Sequence, residues 1–383
     1  MTIAQLSHFA DPALTPRLVV KVGSALLVGD DGEPRRAWLH ALVAELAAAR
    51  TRGQQVLVVS SGAIALGARR LGLARGGRGS LADAQAAAAV GQIALAGVWA
   101  DLFAGHGVTA AQVLLTLDDL EDRRRWLNVT ATLGTLLARG AVPVINENDT
   151  VATQEIRFGD NDRLAARVGQ AAGASAVLLL SDIDGLYDRD PRDPAAVRIP
   201  VVRRVTPEIR AMATGGSSSG LGSGGMTSKL QAAEIATMAG MALAIIDGRP
   251  QSPVATALDG GRGTLFLPRP RRGAEKAWGA RKAWLGGRMR LRGTVHVDAG
   301  AARALTQGAS LLAAGVVRVD GAFVRGDAIA VVGPAGDVLA RGLSEYDAAE
   351  CAALAGRSSR DHAEILGYAP RSALIHRDQL VLV

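Results

Sequence analysis

Arg17-Leu-Val-Val-Lys-Val-Gly-Ser24 is an apolar, β-branched run that ends in a lysine, a glycine and a hydroxyl residue. An apolar run without alternation predicts a strand covered on both faces, as in a parallel sheet. Working outward, similar runs recur at 55–60, 108–115, 141–145, 176–180 and 242–246. Alanine-rich helical segments lie between them near 35–50, 63–72, 81–104, 118–139, 162–171 and 229–239. Such alternation predicts an α/β fold with a mainly parallel central sheet sandwiched by helices. Gly140 is expected to stop one helix and Asp118 to cap the start of the same helix.

The pattern changes at 268–287, where Pro, Gly and clustered cations mark a basic linker. Short runs follow at 289–297, 316–319, 328–332 and 337–340, punctuated by Gly321, Gly326, Gly333 and Gly336. That spacing predicts a small β-rich domain. The expected organisation is an N-terminal extension over 1–16, a large α/β domain over 17–267, the linker, and a β-rich domain with a C-terminal tail over 288–383.

Of the 43 basic residues only four are lysine, namely Lys21, Lys229, Lys276 and Lys282. Where arginine is the default cation, a lysine beside a glycine-rich turn points to a site that needs a compact charge on a thin stem, such as a phosphoryl pocket. The net charge of +7 favours anionic partners without choosing among nucleotides, acidic metabolites and nucleic acid. Cys351 is the single cysteine, which excludes an internal disulfide framework and a Cys-rich metal site. No basic start followed by an apolar run precedes residue 17, and the apolar tract 81–104 is interrupted by Asp83, Gln85, Gln92 and Asp101. The tract reads as a core helix and not a membrane span; a soluble, cytoplasmic protein is expected.

Further stretches carry chemistry. In doubly wound folds ligands gather outside the carboxyl ends of the strands, where Lys21, Gly23 and Ser24 would stand. Ser60-Ser61-Gly62-Ala63 offers hydroxyls and helix-start N–H groups to an anion; an ordinary N-cap fits the same residues. Asn146-Glu-Asn-Asp149 combines amide donors with carboxylate acceptors, as a zwitterion requires, although an Asx-rich turn has the same composition. Asp160, Asn161 and Asp162 open a helix. Asn161 can cap it, and Asp162 can orient a lysine or simply favour the helix dipole. Ser181 and Asp182 end a strand in a position to cradle a nucleotide. The glycine-rich 215–229 segment, with Ser223, Gly224, Gly225, Met226, Thr227, Ser228 and Lys229, enters a helix but lacks the P-loop spacing. None of the six histidines lies in these stretches, so histidine acid–base or metal chemistry is not supported.

Taken together and in this order, these stretches resemble the glutamate 5-kinases, a branch of the amino acid kinase family. The likeness rests above all on Asn146-Glu-Asn-Asp149 and Gly224-Gly-Met-Thr-Ser-Lys229. The family has the fold predicted above. Its members transfer the γ-phosphoryl of ATP to the γ-carboxylate of L-glutamate, the first step of proline biosynthesis. The resemblance implies that Lys21 and Lys229 contact the transferring phosphoryl group and that Asp162 holds both. It implies glutamate binding by Ser61, Asp149 and Asn161. Lys21, Ser181, Asp182 and the 223–229 segment would border ATP, with Mg2+ as cofactor. Ala25 stands where the family often has a hydroxyl, and Ser60 and Ser181 where it often has threonine.

The C-terminal part, with Val297-Asp-Ala-Gly-Ala301 and Phe323-Val-Arg-Gly-Asp327, is similar to the PUA domain carried by many bacterial members. Also implied are a homo-oligomer, feedback inhibition by proline and, because an acyl phosphate hydrolyses readily, hand-off to a reductase that forms glutamate 5-semialdehyde. Two alternatives stay open: a sibling kinase acting on acetylglutamate, aspartate, carbamate or UMP, and RNA binding through the PUA-like domain and basic linker.

Overall fold

The computed structural model describes residues 2–151, 161–214, 225–269, 291–368, 371 and 373–383. The chain forms two compact units, Met1–Pro270 and Arg271–Val383.

The first unit is built on the strands β1 (Arg17–Val22), β2 (Gln55–Ser60), β3 (Ala110–Leu115), β4 (Val142–Glu147), β5 (Ala176–Ser181) and β9 (Ala242–Asp247). Two further pieces, β8 (Val201–Val202) and β10 (Thr264–Phe266), complete an eight-stranded sheet in the order β3-β4-β2-β1-β5-β9-β10-β8. A hairpin of β6 (Leu186–Tyr187) and β7 (Arg198–Ile199) stands apart from it. Every pairing in the large sheet is parallel except β9 with β10. β5 is buried along its whole length, and β1 at all but its first residue, as continuous apolar runs demand. Lys21 sits near the end of β1, in register with Val59 of β2 and Leu179 of β5. The six long strands therefore deliver their C-terminal residues to one edge of the sheet.

The helices of this unit are α1 (Ser24–Leu27), α2 (Arg36–Thr51), α3 (Ala63–Arg70), α4 (Leu81–Ala104), α5 (Leu117–Glu121), α6 (Arg123–Ala138), α7 (Asn161–Ala172), α8 (Pro207–Ala211), α9 (Met226–Met238) and α10 (Pro253–Gly260). α2 is amphipathic at helical spacing and buries Trp38, Leu39, Leu42, Val43, Leu46 and Ala49. α4 is the only helix among the described residues long and apolar enough to cross a membrane by length and composition. One side of it, including Gly91, Leu95, Trp99 and Phe103, is buried within the unit.

Two expectations change. The segment expected as one helix over 118–139 is α5 and α6. Its cap is Thr116, not Asp118. Thr116 accepts from Asp119 N–H, and the Asp119 carboxylate accepts the Thr116 N–H at 2.7 Å, a reciprocal box that starts the helix early. Asp122 then leaves helical geometry (φ −74°, ψ 128°), and its side chain accepts Arg125 N–H at 2.9 Å to begin α6. Residues 2–16, within the segment expected as an extension, pack into the core. Ile3, Leu6 and Phe9 are buried there, and Gln54 Nε2 donates to Phe9 O and Thr15 O at 2.9 and 2.8 Å.

α3 and α4 cross without intervening side chains. A Cβ on Gly67 would lie 1.7 Å from the Ala87 carbonyl oxygen, and one on Gly91 1.8 Å from that of Ala63. α3 begins directly after Ser61 and Gly62, whose φ of +110° suits glycine. The crossing thus sets where Ser61 stands.

The second unit has a five-stranded sheet of β11 (Gly293–Val297), β12 (Val316–Gly321), β13 (Ala328–Val332), β14 (Val338–Leu343) and β15 (Leu380–Leu382), in the order β12-β11-β13-β14-β15. Only β11 with β13 is parallel. Val295, Leu305, Ile329, Val331, Tyr346 and Leu374 lie in its core. Cys351 is buried beside Ser344 Oγ at 3.6 Å, and burial pushes its thiol up to about 11. Most of the expected linker lies outside the described residues.

Gly91→Ala tests the helix crossing. Backbone, not a flexible side chain, opposes the added methyl, so the variant is expected to lose about 2–4 kcal/mol in urea denaturation, at or beyond the upper end of ordinary overpacking.

Candidate active site at the carboxyl edge of the sheet

Lys21 is carried by the central strand β1 and Lys229 by the first turn of α9, on the far side of a long stretch of chain. Both are buried, at 7% and 6% exposure, and Asp162 at the start of α7 is wholly buried. Lys21 Nζ lies 2.7 Å from Asp162 Oδ1, and Lys229 Nζ donates to Asp162 Oδ2 at 3.1 Å. One carboxylate thus takes an ammonium on each oxygen.

The electrostatics follow. Burial lowers the Lys21 ammonium below its usual value, with Asp162 opposing that effect and Lys229 adding to it. Burial also opposes ionisation of Asp162, but the two ammonium groups outweigh it and hold the carboxyl below the usual carboxylate range. Two cations share one anion, so the cluster carries a formal +1 in a dry setting. Such a charge gains strongly from an arriving anion, because little water screens it. Gly23 keeps the approach open: a Cβ there would lie 3.6 Å from Lys21 Nζ. α9 adds helix-start N–H groups, since its N-cap Gly225 has no side-chain cap.

A second group lies toward β2 and β4. Asn161 Nδ2 donates to Ser61 Oγ at 2.7 Å, Asn146 Oδ1 at 3.1 Å and Ser60 O at 3.3 Å. Ser61 N–H donates to Val22 O at 3.1 Å, tying this turn to the end of β1. Asp149 follows β4 in a partly buried position, and burial pushes its carboxyl up to about 6. On the other flank of β1, Ser181 ends β5, and its hydroxyl donates to Asp182 Oδ1 at 3.2 Å. Asp182 also bears electrostatically on Lys21.

The structure therefore brings Lys21, Asp162 and Lys229 into contact, and Ser61 and Asn161 into contact. Asp149, Ser181 and Asp182 sit at the ends of strands on the same edge. Gly225, Met226, Thr227 and Ser228 form the entry to α9, while Asp160, Ser223 and Gly224 lie outside the described residues. Sequence reasoning missed two members of the surroundings, both on α4. Trp99 Nε1 donates to Ser60 Oγ and Gln92 Oε1 accepts from Asn146 Nδ2, at 2.9 and 2.8 Å. The available signal was a glutamine inside an apolar helical run. No group of three or more His, Cys, Asp or Glu side chains suited to a metal occurs among the described residues.

Comparison with known proteins identifies the family. The amino acid kinase family model matches residues 16–247, and the PUA domain model matches 293–366. The chain belongs to the amino acid kinase family, and it carries a C-terminal PUA domain. Within that family it stands with the glutamate 5-kinases. It is 78% identical over 383 residues to glutamate 5-kinase of Novosphingobium aromaticivorans, covering 100% of both chains. It is 60% identical to that of Sphingopyxis alaskensis (97% and 99% covered) and 53% identical to that of Zymomonas mobilis (97% and 92% covered).

Asp162→Asn would leave two buried ammonium groups without their counter-charge, and a loss of about 3–5 kcal/mol of stability is expected in urea denaturation. The pH dependence has a definite sign. A carboxyl held below its unfolded value contributes stability that is present above that value, near pH 3.9, and lost as pH falls through the folded one. Acid unfolding of Asp162→Asn should lack that component.

Proposed function

We propose that this chain catalyses phosphorylation of the γ-carboxylate of L-glutamate by ATP, giving L-glutamyl 5-phosphate for proline biosynthesis in the cytoplasm. The observation that carries the reading is the single buried carboxylate of Asp162 holding Lys21 and Lys229 side by side. A pair of ammonium groups fixed this way is suited to the oxygens of a phosphoryl group in transit.

A carboxyl group of the acceptor is ionised near pH 7, with an ordinary value of about 4.3, so the nucleophile exists without a general base. What this chain's residues must do is align acceptor and phosphate and neutralise the charge that develops between them. Lys21 and Lys229 neutralise it, and Asp162 keeps their ammonium groups from drifting apart. Ser181, Asp182 and the start of α9, together with the 223–229 segment, border ATP. Ser61 and Asn161 address the amino acid, and Asp149 receives its ammonium, which a neutral acetylated nitrogen would not supply. This favours glutamate over acetylglutamate, although the same fold serves other acceptors.

Magnesium enters such sites through the phosphates of the nucleotide and only one or two protein carboxylates. Asp182, at the end of β5, has the donor chemistry required. The ion supplies charge neutralisation on the phosphates when bound.

The acyl phosphate product is labile, so transfer to a reductase, feedback inhibition by proline and assembly into a homo-oligomer belong to the same reading. An ATP-consumption assay comparing L-glutamate, N-acetylglutamate, aspartate and UMP tests it; preference for any of the last three overturns it. Lys229→Ala is expected to stay folded and lose at least about tenfold in turnover, because one charged donor aimed at the transition state is removed.

Asp149 gives a pH signature. Its carboxyl titrates near about 6, so kcat/KM for glutamate should fall as pH drops below that value, and Asp149→Asn should abolish this limb while raising KM. Because its folded value lies above the unfolded 3.8, ionisation costs the fold stability as pH rises through about 6. Asp149→Asn should therefore melt at a higher Tm than the native chain at pH 7, with poorer glutamate binding.

A further inference from the structure

Three amides, of Gln92, Asn146 and Asn161, form a chain from the apolar helix α4 into the site, and backbone groups impose the sense of the two asparagines. The Glu147 backbone N–H, which can only donate, points at Asn146 Oδ1 at 2.9 Å. Asn146 must therefore turn its Nδ2 away, and that group donates to Gln92 Oε1 at 2.8 Å. At the other end the Ser60 carbonyl, which can only accept, faces Asn161 Nδ2 at 3.3 Å, and Asn146 Oδ1 faces the same nitrogen at 3.1 Å. Turning the Asn161 amide over would set its oxygen against two acceptors. Its Oδ1 is thus held on the opposite side, and there it is buried with no hydrogen-bond partner among the described residues.

A buried acceptor without a partner is costly, and a ligand donor that reaches it is selected strongly. An amino acid has one such donor, its ammonium; its carboxylates have none. We infer that Gln92 is a positioning residue: through Asn146 it keeps the Asn161 amide turned with Oδ1 as an acceptor for the substrate ammonium. This rests on the proposed reading of the Ser61–Asn161 region as the amino acid site. Gln92 itself stays out of contact with the reacting groups. Without its acceptor, Asn146 Nδ2 loses its partner, and the long 3.3 Å contact to the Ser60 carbonyl and the Glu147 N–H alone are left to hold the sense of the two asparagine amides, which weakens it.

Gln92→Met keeps the length of the side chain and removes the acceptor. Gln92→Glu keeps an oxygen facing Asn146 Nδ2. Steady-state assays of the native chain and both variants, each shown to be folded by thermal melting, would give KM for L-glutamate and for ATP. They would also give the inhibition constant of glutarate, which is glutamate without its ammonium.

Gln92→Met is expected to raise KM for glutamate about tenfold, the scale of one lost hydrogen bond to a charged group, while KM for ATP changes by less than about twofold. The glutarate constant should move far less than KM for glutamate, and Gln92→Glu should restore most of the loss. Equal changes for glutamate and glutarate, parallel changes for glutamate and ATP, or no rescue in Gln92→Glu would overturn the inference. Gln92→Ala carries the same expectations should Gln92→Met fail to fold. Native chain that does not turn over L-glutamate sinks the proposed function instead, whereas an active native chain with an unaltered Gln92→Met variant sinks only the role of Gln92.

Discussion

One carboxylate with an ammonium on each oxygen is the constraint around which the kinase unit is arranged. Asp162 sits in a helix that is almost entirely buried, so its position is set by packing and not by solvent. Lys21 comes from a central strand of the sheet and Lys229 from the helix packed beside α7, and Asp162 cannot be lost without leaving two buried ammonium groups uncompensated. That interdependence joins the centre of the sheet to the two helices above it. It also explains why lysine persists in a chain that otherwise favours arginine. A compact ammonium on a thin stem leaves more room beside the shared carboxylate for an arriving anion than a planar fork would.

The rest of the edge is organised around that point. β2 and β4 lie on one side of β1, and their ends supply Ser61, Asn146 and Asp149. β5 lies on the other side and supplies Ser181 and Asp182. Strand order thus separates two kinds of chemistry across the central strand. Hydrogen-bonding amides and a burial-strained carboxyl gather on one flank, hydroxyl and acid on the other, and Lys21 stands between them. The backbone-to-backbone crossing of α3 and α4 fixes the first flank, because Ser61 leads into α3 while Gln92 and Trp99 reach in from α4.

Much of this was legible because the signals were coarse. Continuous apolar runs placed the six long strands to within a few residues, since burial on both faces leaves no alternation to confuse in five of them; β3, at the sheet edge, is largely unburied and was found by its apolar composition alone. Lys21, Asp162 and Lys229 stood out by residue type and by their place at strand ends and helix starts. The losses have particular physical reasons. The break at Asp122 depends on a reciprocal cap between Thr116 and Asp119, which composition cannot distinguish from a run of helix-tolerant acids. β8, β10 and β15 are two or three residues long and exist only because a neighbouring strand offers an edge. Gln92 looked like an interruption of an apolar helix, because its partner Asn146 is distant in sequence and meets it only after folding.

The lone thiol of Cys351 has a use beyond packing. Walled into the second unit and held as a protonated thiol far above physiological pH, it is a poor nucleophile as long as that unit stays closed. Alkylating reagents and oxidants reach it only when the unit opens. Its labelling rate is therefore a built-in clock for breathing of the C-terminal unit, read without any probe in the kinase unit. A chain with no other sulfhydryl also has no route to disulfide-linked copies until that clock runs.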